Sequence, residues 1–170
     1  MERMKEQLIS RGPDAEGSWC NDSQDVTLGH RRLSILDLSP GGAQPMVSHS
    51  GRFVISYNGE TYNCREVEKK LRREGLLGAL HGSSDTEILL EALEAYGVKE
   101  GICLCKGMFA IALYDRKEEQ LWLLRDRVGE KPLYYGLVNG SFVFASELTA
   151  IAALPDFCLF IHISEPTRLL

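Results

Sequence analysis

The segment from Val54 to Asn63 constrains the fold of this chain more than any other stretch. An apolar run (Phe53, Val54, Ile55, Tyr57) stops at Asn58-Gly59-Glu60, and a helical pattern begins a few residues later. This reads as strand, tight turn, helix. A side-chain amide beside a glycine at a strand end can aim two N–H donors at one point, as an oxyanion site requires. Asn-Gly is also the commonest short signal for a two-residue hairpin turn, and on these residues alone the hairpin is the stronger reading. The neighbouring segments decide between them.

Directly after the pivot, Asn63 and Glu66 form a capping-box pattern, followed by an apolar stripe of Cys64, Val67 and Leu71 and a stop at Gly75. A helix so close to Asn58-Gly59 leaves little room for a second hairpin strand. Ser84-Asp85-Thr86-Glu87 is a second capping box. It opens a helix with Ile88, Leu89, Ala92, Leu93 and Tyr96 inward and Gly97 beyond its end. Asp85 falls in the first turn, where a carboxylate favours the helix dipole and could equally hold a ligand ammonium. Leu76 to Ser83 has loop character.

Upstream, Met1, Met4, Leu8 and Ile9 recur at helical spacing until Arg11-Gly12-Pro13-Asp14 interrupts them. An arginine just before a Gly-Pro turn is well held for a carboxylate partner. Trp19-Cys20 and Val26-Thr27-Leu28 read as short strands around the turn Asn21-Asp22-Ser23. Gly29-His30-Arg31-Arg32 then leads into Leu33-Ser34-Ile35, whose alternation suits a strand end. Two arginines beside an apolar strand cannot both be buried cheaply: one is solvated, the other fixed against a carboxylate through its planar fork. His30, with no partner spacing beside it, reads as a hydrogen-bonded structural residue. Ser39 to Ala43 is a loop without the Gly-Lys-Ser/Thr ending of a phosphate loop.

Downstream, Met108 to Tyr114 is a nearly continuous apolar run and hence a buried strand, followed by a second strand over Gln120 to Leu124. Arg125-Asp126-Arg127 is a charged cluster. Asn139-Gly140 lies between Tyr135–Val138 and Phe142–Phe144, the hairpin signal in its proper setting. A short helix runs from Ser146 through Ile151. Strands, two helices and four further strands imply an α+β layered sandwich of antiparallel hairpins, not an alternating βαβ sheet.

At 170 residues with a net charge of −5, the chain suits one domain and gives no electrostatic invitation to nucleic acid or anionic membranes. No run is long and apolar enough for a membrane span, and the expected location is cytoplasmic. The five cysteines are irregularly spaced, with no zinc-ligand pattern, and are expected to be mostly buried thiols.

Together these segments resemble the glutamine amidotransferase domain of glutamine-hydrolysing asparagine synthetases, which are class II amidotransferases with an N-terminal nucleophile. The similarity is carried by Arg11–Asp14, Gly29–Asp37, Gln44-Pro45-Met46, Tyr57–Glu60 with Tyr62-Asn63, Ser84–Glu87, Gly107–Asp115, Arg125–Tyr135 and Phe144–Glu147, in family order. The resemblance implies a four-layer αββα sandwich, two antiparallel sheets between helix layers, spanning 1–154 and followed by an irregular tail over 155–170. It implies that Arg32 binds the α-carboxylate of glutamine, that Asp85 holds the α-ammonium with help from Glu60, and that Asn58 and Gly59 form an oxyanion hole. Arg11 would support the loop of the nucleophile.

In that family the nucleophile is a cysteine exposed as the mature first residue, with its own amine as base. Here residue 1 is Met1 and residue 2 is Glu2, and Cys20 follows the Arg-Gly-Pro-Asp motif without a free amine. The expectation is a domain that lacks its nucleophile and its N-terminal strand, and therefore has no glutaminase activity. An unpaired sheet edge of this kind favours self-association, and a homo-oligomer is among the expected partners. The Ser-Gly-Gly-x-Asp-Ser phosphate loop of the family's synthetase domain is absent, so ATP and magnesium are expected to bind that domain and not this chain. Two alternatives stand beside this one: a degenerate glutamine-binding or structural module, and an amidotransferase domain serving an acceptor carboxylate other than aspartate.

Overall fold

A computed structural model describes residues 1–33, 40–155 and 157. Thirteen helices and strands follow one another: α1 Glu2–Gln7, β1 Ala15–Cys20, β2 Thr27–Arg32, β3 Met46–Val47, β4 Phe53–Thr61, α2 Cys64–Glu74, α3 Asp85–Tyr96, α4 Val98–Leu104, β5 Gly107–Asp115, β6 Gln120–Arg125, β7 Tyr134–Val138, β8 Ser141–Ala145 and α5 Leu148–Ala152. A 3-10 turn, Pro40–Gly42, precedes β3. The expected strand end at Ser34-Ile35 and the tail beyond Phe157, including Cys158, lie outside the described residues.

The centre is a four-stranded antiparallel sheet in the order β3-β4-β5-β6. Strand alternation sorts its residues onto two faces. Phe53, Ile55 and Tyr57 of β4 and Phe109, Ile111 and Leu113 of β5 pack against Leu89, Leu90 and Leu93 of α3. Val54, Ala112 and Tyr114 point the other way, onto Leu28 of β2 with Trp19 and Phe144 beside it. Each fully buried aliphatic side chain here contributes about 1.5–3 kcal/mol. This two-sided burial explains the apolar run in β5. Helix α2 covers α3 through Val67 and Leu71 against Ile88 and Ala92. On the opposite side, Met4 of α1 joins Ala150 and Ile151 of α5 against Val138 and Ala145 of the β7–β8 hairpin.

The layers run helix, sheet, hairpins, helix, in agreement with the α+β sandwich. The second strand layer consists, among the described residues, of two separate ladders, β1-β2 and β7-β8. Asn139 and Gly140 close the β7–β8 hairpin with φ of 48° and 78°, the positive pair a type I′ turn requires.

Three local expectations fail for identifiable reasons. β4 does not stop at Asn58. It continues to Thr61, with Asn58 opposite Ala110 and Gly59 opposite Phe109, so Asn58-Gly59 is neither a hairpin turn nor a strand end. The polar triplet misleads because that part of the strand borders a cavity, where polar side chains are not excluded. Asn63 makes no side-chain cap on α2. Its amide instead donates to the Leu104 carbonyl at 3.0 Å and its oxygen accepts from the Lys106 backbone at 2.7 Å, tying α2 to the turn before β5. Helix α4 follows α3 directly, where no helix was expected. Its internal Gly101 fits because a side chain there would stand 2.7 Å from the Ala92 carbonyl.

Candidate functional site

The site is built where β2 crosses the sheet-facing side of β4. Leu28, His30 and Arg32 alternate along β2. Leu28 packs on Val54 in the core, and the His30 Nδ1 lies 3.2 Å from the Ser56 hydroxyl. Ser56 also donates to the Gly29 carbonyl at 3.3 Å, joining the two layers. Arg32, next in the series, lines a cavity of about 720 Å³, and so do Asn58, Gly59 and Glu60 from β4 and Asp85 from the first turn of α3. Met4 of α1 with its flanking Met1 and Leu8 walls one side, and Phe142 to Ala145 of β8 another. Every sequence-predicted site residue, Arg11 included, therefore borders one space.

The two arginines of β2 have different neighbours. Arg31 borders the same cavity but is held on its α1 side, with its Nη2 at 2.9 Å from Glu16 and its Nε donating to the Lys5 carbonyl. Arg32 rests on the Pro40–Gly42 turn, so closely that a methyl group on Gly42 would stand 2.2 Å from its Nη2. The Asp14 backbone donates to the Arg32 carbonyl at 3.1 Å, so the Arg-Gly-Pro-Asp turn fixes the end of β2. Arg11 itself is an exposed side chain that donates through Nε to Glu147. The carboxylate partner anticipated for Arg11 is thus the last residue of the Phe144-Ala-Ser-Glu motif, across the cavity mouth.

Hydrogen bonding along β4 explains what its outer edge offers. Residues 56, 58 and 60 face β5, and residues 53, 55, 57, 59 and 61 face the other side, where β3 pairs only as far as Ile55. Beyond that point side chains take over. The Gln44 Oε1 accepts from Tyr57 N at 2.6 Å, and Asp85 Oδ2 accepts from Thr61 N at 2.7 Å. Between them lies Gly59, whose N–H has no acceptor among the described residues. Asn58, adjacent, presents an exposed side chain on the cavity face.

Asp85 also accepts from the Tyr57 hydroxyl at 3.0 Å through the same Oδ2. Burial first, and then the Asp85 charge, push the Tyr57 phenol well above its ordinary range, so it stays a donor. Burial, reinforced by the positive charge of Arg32, lowers His30 to about 4 and keeps its ring neutral at pH 7. The third wall is a loop coiled around Asp126. Its carboxylate accepts from the backbone of Phe109, Val128, Glu130 and Lys131 at 2.9–3.2 Å, which sets Glu130 and Lys131 at the rim.

The cysteines do not follow the expectation of buried thiols. Of those described, only Cys105 is buried; Cys20 and Cys103 are exposed. Burial pushes the Cys105 thiol up to about 12, with the Asp85 charge adding to it, which makes it a poor nucleophile. None of the described cysteines lines the cavity. The described residues contain no cluster of ligands suited to a metal ion and no helix long and apolar enough to cross a membrane.

A family model described as a glutamine amidotransferase domain matches residues 1–166. The chain belongs to this family. Asparagine synthetase [glutamine-hydrolyzing] 3 of Bacillus subtilis is 39% identical over 158 residues, covering 92% of this chain and 25% of that protein. Amidase chry2 of Gibberella zeae is 37% identical over 155 residues, covering 89% of this chain and 22% of its own length. The amidotransferase domain thus spans about a quarter of these relatives. Among solved structures, the glutamine phosphoribosylpyrophosphate amidotransferase of B. subtilis superposes with a TM-score of 0.73 at 20% identity, covering 89% of this chain and 39% of that one. That likeness concerns the fold. In the amidotransferase domain described here, sequence reasoning missed Glu147, Ser56 and Gln44 as parts of the site's frame. The pairing of Arg11 with Glu147 spans nearly the whole chain, and nothing in local spacing signals it.

Proposed function

We propose that this amidotransferase domain binds glutamine in the cavity and belongs to the ammonia-supplying half of an asparagine synthetase. The reading rests on one observation: a guanidinium, a carboxylate and an open backbone N–H beside an exposed amide converge on one space. In this reading Arg32 receives the α-carboxylate in a bidentate fork, and Asp85 receives the α-ammonium, with Glu60 adding negative charge nearby. The side-chain carbonyl of glutamine then lies against Gly59 N–H and the Asn58 amide. Arg11, joined to Glu147, steadies the mouth.

The chemistry such a frame serves is attack of a thiolate on the glutamine amide carbon. A carbon–sulfur bond forms while the carbonyl electrons move onto oxygen, where two N–H donors stabilise the charge. Collapse breaks the carbon–nitrogen bond, the nitrogen leaves with a proton as ammonia, and water then cleaves the thioester to glutamate. With no described cysteine on the cavity wall, we propose that this chain by itself holds glutamine without hydrolysing it. ATP and magnesium act, in this proposal, at a synthetase domain elsewhere.

Titration calorimetry with L-glutamine tests the binding step, with D-glutamine and L-glutamate as controls. Saturable binding of L-glutamine, weaker for both controls and lost in Arg32→Ala, is expected. Equal or absent binding of all three by the folded chain would overturn the reading. The resemblance to a relative named as an amidase favours a second reading, in which ammonia serves an acceptor other than aspartate. Glutamine binding is common to both, and acceptor-dependent ATP turnover by the full-length protein separates them.

A further inference from the structure

The outer edge of β4 is unusual in how it ends. A strand edge carries a row of N–H and C=O groups that invites pairing along its whole length. Here β3 covers the edge to Ile55, and past it the three successive outward N–H groups belong to Tyr57, Gly59 and Thr61. Two are occupied by single side chains, Gln44 at 2.6 Å and Asp85 at 2.7 Å. Successive outward-facing positions on a strand lie about 6.6–6.8 Å apart. An isolated donor therefore stands between two closed ones. Gln44 lines the cavity, and its carbonyl is held against β1, where a Cβ on Gly17 would stand 2.0 Å from it. The loop is thus packed in place, and the side chain projects from it onto the edge.

We propose that Gln44 is a positioning residue whose side-chain carbonyl closes the β4 edge at Tyr57, so that on this edge Gly59 alone presents a backbone N–H to a bound amide carbonyl. This rests on the glutamine-binding reading above. An amide is suited to the task because its oxygen accepts from the backbone without bringing a charge into a cavity that receives a carboxylate. Were the Tyr57 N–H left open, a ligand carbonyl would have two equivalent donors on one edge and could bind one dipeptide step out of register.

The test combines calorimetry with residue-resolved amide exchange on the full chain. In the parent protein the Tyr57 amide is expected to be protected and the Gly59 amide to exchange fast, then to become protected when L-glutamine binds. Gln44→Leu removes the acceptor. It is expected to lose protection at Tyr57 while Ser56 and Asn58, bonded to β5, keep theirs, and to bind glutamine about tenfold more weakly. Gln44→Glu restores an acceptor and should restore Tyr57 protection, which a mere packing role would not require. Unchanged Tyr57 protection in Gln44→Leu, or unchanged glutamine affinity once that protection is gone, overturns the proposal. If the parent protein binds no glutamine, the proposed function fails, while loss of Tyr57 protection in Gln44→Leu still tests the closure of the edge; if glutamine binds and the Gly59 amide stays unprotected at saturation, the assignment of its N–H is overturned.

Discussion

Asp85 Oδ2 lies 2.7 Å from the backbone nitrogen of Thr61, so the first residue of α3 completes the hydrogen bonding of a strand it does not belong to. The contact places a carboxylate at the cavity wall by a backbone bond, which is more exact than a flexible side-chain contact. It also explains how one residue combines two roles that its sequence position left open. The helix-dipole explanation and the ligand-binding one are compatible, because one oxygen serves Thr61 and Tyr57 while Oδ1 has no hydrogen-bond partner among the described residues.

Asp85→Asn separates these roles. The amide retains an oxygen for Thr61 and the Tyr57 hydroxyl, so stability is expected to fall by only about 1 kcal/mol. Loss of the negative charge opposite the ligand ammonium is expected to weaken L-glutamine binding at least tenfold, about 1.4 kcal/mol. Calorimetry and urea denaturation on the same preparation check it. A large stability loss with unchanged affinity would assign Asp85 to the fold alone.

His30 makes stability depend on pH between about 6.5 and about 4. Its folded value is lowered to about 4 by burial and by Arg32, against about 6.5 in the unfolded chain. A group lowered on folding contributes stability that is fully present above its unfolded value and is lost as pH falls towards the folded one. From pH 7 to pH 5 this residue alone costs about 2 kcal/mol. His30→Gln, which can still hydrogen-bond Ser56, should flatten the curve by that amount. Urea midpoints at pH 7 and pH 5 for both proteins give the difference directly, with the carboxylates common to each. Parallel curves would contradict the assignment.

The core and the hairpins were legible in the sequence because burial and turn geometry are written locally: the apolar run of β5 and the Asn139-Gly140 turn each carry their own signal. The run of β4 through Asn58 was not, because its polar end is decided by a cavity that other segments enclose. Asn63 shows the same limit. Its spacing from Glu66 is that of a cap, yet the Leu104–Lys106 turn, distant in sequence, competes for the amide and wins. The site residues were legible as a set only through their ordered motifs. Arg32 and Arg31 differ by one position in β2 and both border the cavity, yet one rests on the Pro40–Gly42 turn and the other is paired with Glu16, a difference that local spacing does not signal.

The loop around Asp126 predicts an acid-sensitive rim. Burial by itself would raise this carboxyl, but backbone N–H groups of Lys131, Glu130, Phe109 and Gly129 outweigh it and hold it below the ordinary carboxylate range. Its contribution is present above the unfolded value of about 3.9 and is lost as pH falls through the folded one. Asp126→Asn puts an amide donor among backbone donors and is expected to cost about 2–3 kcal/mol at pH 7. The difference between parent and variant should shrink below pH 4. Denaturation series from pH 7 to pH 3 check both the magnitude and its decline.

Gly59 gives the sharpest test of why the β4–β5 pairing needs a glycine at the proposed oxyanion position. A Cβ there would stand 2.2 Å from the Met108 carbonyl oxygen and 2.7 Å from the Phe109 Cα, both backbone-fixed atoms that cannot rotate away. The φ of Gly59 is not in the left-handed region, so the demand is for space and not for conformational freedom. Gly59→Ala therefore has to push β4 and β5 apart locally, at a cost of about 3 kcal/mol. The displacement also moves the Gly59 N–H, so glutamine affinity should fall in the same variant. Ser56→Ala, two positions from Asn58 on the same face, removes a hydroxyl without crowding the ladder and should cost about 1 kcal/mol. If Gly59→Ala proves no more destabilising than Ser56→Ala in urea titrations, the close approach of the two strands is not what selects glycine at this position.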